Sequence, residues 1–267
     1  MAELGKLLDI MARLRDPQGG CPWDLQQDFP TLVHYTLEEV YEVVDAIERA
    51  DYPHLREELG DLLFQIVFYS QIASERGLFD MGAVIDGIAA KLLARHPHVF
   101  ATDSAGIAKP DMPQLHVDWE RRKQQERAAK GINGVLGDVP VALPALQRAH
   151  KIQSRLARAG FDWQEASAVL RQVRAELDEL EEAMQQGNAD ACADELGDVL
   201  FSCVNLARHL HVDPEQALRD CNSKVIRRIA WMEDTLRARQ QQWQHCSADE
   251  LEELWQAAKQ ALLAAVG

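Results

Sequence analysis

Two pairs of carboxylates open the chemical reading of this sequence: Glu39 with Glu42, and Glu58 with Asp61, each pair three residues apart. On a helix that spacing sets both acids of a pair on one face. The stretch around Ala50 to Pro53 is short enough to make the two helices antiparallel neighbours, which brings the four acids to one spot. Negative charges so placed repel one another strongly, and a divalent cation is the natural remedy. Oxygen donors with no His or Cys among them select a hard ion, Mg2+ with Mn2+ as the second candidate, over zinc or copper.

The pattern occurs twice. Glu58 to Phe68 reads ELGDLLFQIVF and Glu195 to Asn205 reads ELGDVLFSCVN, identical at seven of eleven positions without a gap. The offset of 137 residues carries Glu39 onto Glu176, Glu42 onto Glu179 and Asp61 onto Asp198, which marks an internal duplication. Taken alone, the first set has a blander explanation, because Thr36 and Glu39 form a T-x-x-E capping box. In the second copy the position of Thr36 is held by Val173, so capping does not account for Glu176. Gly60 and Gly197 also recur, each at a cost of roughly 1 kcal/mol relative to alanine inside a helix. Close helix packing beside the acids explains them, and so does backbone room for a ligand.

The two copies are unequally equipped. Lys224, Arg227 and Arg228 follow the second copy on neighbouring parts of one helix surface, a patch suited to a triphosphate, although a solvated basic face has the same spacing. Trp255 and Lys259 stand four apart on the last helix, where the Trp is suited to a base and, more simply, to the core. The first copy offers only Lys91, Arg95 and His96 in the comparable region. Glu176, Glu179, Glu195 and Asp198 are therefore the expected metal ligands and catalytic groups, with Glu39, Glu42, Glu58 and Asp61 a second possible metal set. The first copy is assigned to dimerisation, regulation or a different substrate preference.

The elements that must position these groups read as helices. Apolar residues recur at helical spacing in Leu37, Val40, Tyr41, Val44 and Ile47, and again in Leu55, Leu59, Leu62, Ile66 and Tyr69, without strand-like alternation. Helix starts are marked by Thr36 with Glu39, by Asp51 ahead of Pro53, and by Ser247 with Glu250. The expected fold is all-α, two helical repeats forming bundles, over residues 1–105 and 143–267. The Pro- and Gly-bearing segment 106–142 connects them, with a short helix expected across DWERRKQQERAAK. A further helix is expected to end near Leu236, and the last to run from about 248 to 264.

A formal net charge of −15 over 267 residues argues against a protein that coats nucleic acid. It leaves room for a small anion held through a cation or a local basic patch. The five cysteines, Cys21, Cys192, Cys203, Cys221 and Cys246, include no C-x-x-C pair and read as reduced thiols. The first residues mix charges into their apolar run, unlike a secretory signal. No stretch approaches the roughly 20 apolar residues of a membrane helix. A soluble, cytoplasmic protein with neither nucleic-acid nor membrane partners is expected.

EEVYE at 38 to 42 followed by ELGD at 58 to 61 resembles the E-E-x-x-E and E-x-x-D signature of the MazG family. GCPWD, YTLEEVYEV, RHPHVF, VALPALQRAHKIQ and GFDW extend the likeness over nearly the whole chain. The resemblance implies an all-α homodimeric enzyme that uses Mg2+ to cut nucleoside triphosphates between the α and β phosphates. It also implies nucleotide contacts for Lys224 and Arg228, and for Trp255 and Lys259 in the tail. The chain departs from the family at Ala191, where a Lys can stand before the acids, and at Ala175, where the doubled Glu of the first copy is reduced to Glu176.

Three other readings compete. An oxidative di-iron or di-manganese bundle would add an E-x-x-H motif, which neither copy carries at these positions. A non-enzymatic acidic adaptor would bind a protein partner through the same acids and show no turnover. Related dUTP or phosphoribosyl-ATP pyrophosphatases share helical carboxylate motifs, so the reaction is better defined than the substrate or any regulatory partner.

Overall fold

A computed structural model describes residues 2–100, 121–122, 131 and 134–264, and every regular element among them is helical. The chain divides into two compact units, Met1–Lys123 and Gln124–Gly267. The division falls within the segment 106–142. Most of that segment lies outside the described residues, as does the helix expected across DWERRKQQERAAK apart from Arg121 and Arg122.

The first unit comprises α1 (Ala2–Leu14), α2 (Pro22–Gln26), α3 (Val33–Glu48), α4 (Tyr52–Glu75), α5 (Met81–Arg95) and α6 (Pro97–Phe100). α3 and α4 form the hairpin that bears the acids. Its turn uses Ala50 at a φ of 53°, after which the Asp51 carboxylate accepts from the His54 backbone N–H at 3.2 Å and Pro53 enters the first turn of α4. Met11, Leu32, Val67, Phe68, Ile72 and Met81 form the core against which α1, α4 and α5 close.

The start of α3 differs from the expected one. The helix begins at Val33, a turn before Thr36, because the fully buried Leu32 anchors the preceding residues. Thr36 donates instead to the Leu32 carbonyl at 3.0 Å and lies 2.9 Å from the Tyr69 hydroxyl. Glu39 is thereby released from any capping duty.

The second unit comprises α7 (Ala145–Arg158), α8 (Ala166–Gln185), α9 (Ala189–His209), α10 (Pro214–Ala238), a 3-10 turn (Trp243–His245) and α11 (Ala248–Ala264). Gly187, at a φ of 66°, makes the turn between α8 and α9 possible, and Asn188 caps α9 by accepting from the Ala191 N–H at 3.2 Å. α7 packs on α9 and α10, and α11 packs on α10 around Met232, Leu236, Leu254 and Ala258. The Ser247 box closes as expected: the Ser247 N–H donates to Glu250 at 2.7 Å and the Glu250 N–H to Ser247 at 3.2 Å.

Both acidic hairpins keep large apolar side chains exposed, among them Val40, Leu59, Leu63 and Ile66 in the first and Leu177, Leu196 and Leu200 in the second. The five cysteines are free thiols. Among the described residues no helix is long and apolar enough to cross a membrane.

Candidate active site and metal centre

In the first unit, carboxylate oxygens of Glu39 on α3 and of Glu58 and Asp61 on α4 lie within 4.8 Å of one another. Burial pushes the Glu39 carboxyl above its ordinary pKa, and the charges of Asp61 and Glu42 add to it while a hydrogen bond from Gln65 opposes them. Burial also raises Glu58, followed by the Glu42 charge, against the pull of His54, whose Nδ1 is 3.2 Å from Glu58 Oε1. Glu42 stands outside the group of three and raises Glu58 through its charge and through a side-chain hydrogen bond.

In the second unit the corresponding oxygens of Glu176 and Glu179 on α8 and Glu195 on α9 also lie within 4.8 Å of one another. Burial raises the Glu195 carboxyl, and then Glu179, Asp198, Asp194 and Glu176 raise it further. Asp198 is exposed at the edge of this group. Each hairpin thus gathers oxygen donors whose charges disfavour one another, an arrangement that fits a hard divalent ion.

Gln172, Gln65 and His54 are additions that the acid pattern did not reveal. Gln172 Nε2 donates to Glu176 Oε1 at 2.8 Å and holds that carboxylate in place. Both Gln172 and His54 stand four residues before the acid they contact, so helical spacing was the signal that could have found them. A Cβ at Gly60 or Gly197 would meet nothing within 4 Å, so close packing within either unit does not account for these glycines.

The basic residues are only partly brought together. Arg228 on α10 lies over the Trp255 ring of α11, 5.0 Å from its centroid. Trp255 is half-buried against the core of α10 and α11, whereas Lys224 and Arg227 are exposed and Lys259 is half-buried. Among the described residues no ion pair joins Lys224, Arg227, Arg228 or Lys259 to a carboxylate. Their positive charge is therefore not spent on neighbouring acids.

Two helical hairpins in one chain, each bringing three carboxylate oxygens within 4.8 Å of one another, place the protein among all-α carboxylate-bearing bundles. The model of the MazG nucleotide pyrophosphohydrolase domain matches residues 27–100 and 164–232, which contain both acidic sets. The chain is 46% identical to the nucleoside triphosphate pyrophosphohydrolase of Escherichia coli (strain K12), over 97% of this chain and 98% of that one. It is 39% identical to the nucleoside triphosphate pyrophosphohydrolase/pyrophosphatase MazG of Thermotoga maritima, over 95% of this chain and 94% of that one. A crystal structure of a mazG-related protein from Thermotoga maritima aligns with a TM-score of 0.38 at 27% identity, covering 45% of this chain and 98% of that one. The chain belongs to the MazG nucleotide pyrophosphohydrolase family.

Proposed function

We propose that the protein hydrolyses nucleoside triphosphates between the α and β phosphates, releasing a monophosphate and pyrophosphate, and that the second unit does the work. The observation that carries this reading is the convergence of Glu176, Glu179 and Glu195 within 4.8 Å, in a chain whose relatives bear the name of that activity. Glu176, Glu179, Glu195 and Asp198 would hold Mg2+, or Mn2+ in its place. When bound, the ion would supply Lewis-acid charge stabilisation to the triphosphate and help to activate the attacking water.

The chain's own groups complete the chemistry. A carboxylate of the cluster that keeps one oxygen free orients the water and takes its proton. Gln172 fixes the orientation of Glu176 through its 2.8 Å hydrogen bond. Lys224, Arg227 and Arg228 stabilise the charge that grows on the departing pyrophosphate, and Lys259 adds to the same field. Trp255 backs the guanidinium of Arg228. The first unit lacks this positive equipment and serves dimerisation or regulation. The exposed apolar faces of both hairpins support a homodimer, and the free thiols and acidic surface suit the cytoplasm.

Incubation with a panel of nucleoside triphosphates and Mg2+, with the products identified by phosphorus NMR, tests the reaction. Monophosphate and pyrophosphate are expected. Diphosphate and orthophosphate as primary products would overturn the reading.

A further inference from the structure

A cleft of about 350 Å3 opens between α7 and the start of α10, within the size range of small-molecule sites. Gln147, His150, Lys151, Ser154 and Arg158 of α7 line it, and Asp213 and Pro214 at the start of α10 complete it. The five α7 residues recur at helical spacing and form one stripe along the helix. Gln153, on another face of α7, donates to the Phe201 carbonyl of α9 at 2.7 Å. The stripe is therefore turned from the side of α7 that meets the acidic hairpin, and none of Glu176, Glu179, Glu195 and Asp198 lines the cleft.

The cleft is locally basic in a chain whose formal net charge is −15. Its one carboxylate is already engaged, since Asp213 accepts from the Gln216 N–H at 2.9 Å and its charge sits against the positive end of α10. Arg158 Nε donates to the Ser154 carbonyl at 2.8 Å, which ties the guanidinium back to α7. Among the described residues no hydrogen bond or ion pair joins His150 or Lys151 to another side chain. Nitrogen donors gathered around a recess suit a small multivalent anion, phosphates above all, because each contact is charge-assisted. Leu143 and Pro214 are the apolar lining, and no Phe, Tyr or Trp is there to stack on a base.

The duplication provides an internal comparison. IMARL at 10 to 14 of α1 matches IQSRL at 152 to 156 of α7, and the second residues, Met11 and Gln153, are both buried. At that offset of 142, His150, Lys151, Ser154 and Arg158 correspond to Leu8, Asp9, Ala12 and Asp16. Asp80 caps α5 as Asp213 caps α10, accepting from the Ala83 N–H at 2.8 Å. The same packing thus forms in the first unit with acids where the second has Lys151 and Arg158. Basic side chains on this face are not a demand of the fold.

We propose that this cleft is a binding site for a small inorganic phosphate anion of the pyrophosphate class, held by His150, Lys151 and Arg158 without a metal ion. The first unit has no counterpart. This assignment goes beyond the hydrolase reading and does not depend on it. In that reading pyrophosphate is also the product, and the second unit would hold it away from the acids that released it.

Calorimetric titration of the full chain with inorganic pyrophosphate, in EDTA so that no divalent ion contributes, tests it. The proteins compared are the wild type, Lys151→Gln, Lys151→Asp, which copies Asp9 of the first unit, and Lys224→Gln, which alters the other basic patch. The wild type should bind pyrophosphate, with affinity about tenfold lower in Lys151→Gln, lower still in Lys151→Asp and unchanged in Lys224→Gln. A wild type that does not bind, or affinity unchanged in both Lys151 variants, overturns the proposal. Loss in Lys224→Gln alone assigns the anion to α10 and overturns it as well. Adenosine monophosphate should bind far more weakly than pyrophosphate; equal affinity, lost in the Lys151 variants, would overturn the choice of an inorganic anion.

Discussion

The guanidinium of Arg228 lies over the indole of Trp255, 5.0 Å from the ring centroid, and ties α10 to α11. The Trp ring packs beside Met232, Leu236, Leu254 and Ala258, so it contributes to the core of the second unit whatever else it touches. Trp255→Ala is expected to destabilise the protein by about 2 to 4 kcal/mol in a denaturant titration, through lost packing and the lost cation–π contact. Arg228→Ala should cost only about 0.5 to 1 kcal/mol of stability. It should also weaken tripolyphosphate binding about tenfold, as expected for a lost charge-assisted contact. Loss of stability with unchanged tripolyphosphate affinity would confine Arg228 to a structural role.

Glu75 makes the first unit sensitive to acid. Hydrogen bonds from the Arg15 guanidinium, at 2.9, 3.1 and 2.7 Å, hold its carboxyl below the ordinary value of 4.5. A depressed carboxyl contributes stability above its unfolded pKa and loses it as pH falls through the folded one. Thermal melts should therefore show Glu75→Gln less stable than wild type at pH 7, with the gap closing as pH drops below about 4. A gap that persists at pH 3 would assign the difference to packing.

Repulsion within the carboxylate clusters predicts a metal-dependent melting temperature. Mg2+ should raise the midpoint of the wild type, and chelation should return it. In Glu195→Gln, one member of the second cluster is neutral, so the metal-free midpoint should stay level or rise while the Mg2+-induced increase shrinks. An undiminished increase would place Mg2+ elsewhere.

Light scattering at micromolar concentration should give twice the 30.0 kDa mass of the chain. Exposed Val40, Leu59, Leu63, Ile66, Leu177, Leu196 and Leu200 motivate this expectation. Charged substitutions at Leu59 or Leu196 should shift the mass toward one chain. A monomeric wild type would contradict the proposal.

The acidic hairpins were legible in the sequence because helical spacing and duplication act locally and in register. Glu39, Glu58 and Asp61 meet, as do Glu176, Glu179 and Glu195, while Glu42 and Asp198, each three residues from a member of its group, stay outside it. Thr36 misled the reading of the helix start, since capping boxes are defined by residue type alone and the burial of Leu32 decides where α3 begins. A cleft of about 440 Å3 in the second unit was not legible, because Gln153, Trp163 and Asn205 reach it from separate segments. Spacing records what a helix presents; it does not record which spaces remain unfilled.

Turnover of paired neutralising variants tests the central claim most directly. Glu195→Gln and Asp198→Asn should each lower kcat by a hundredfold or more, on the order expected for loss of a metal ligand or base. Glu58→Gln and Asp61→Asn, with circular dichroism and mass matching the wild type, should retain most of the activity. Equal losses in the two sets, or losses confined to Glu58→Gln and Asp61→Asn, would contradict the assignment of hydrolysis to the second unit.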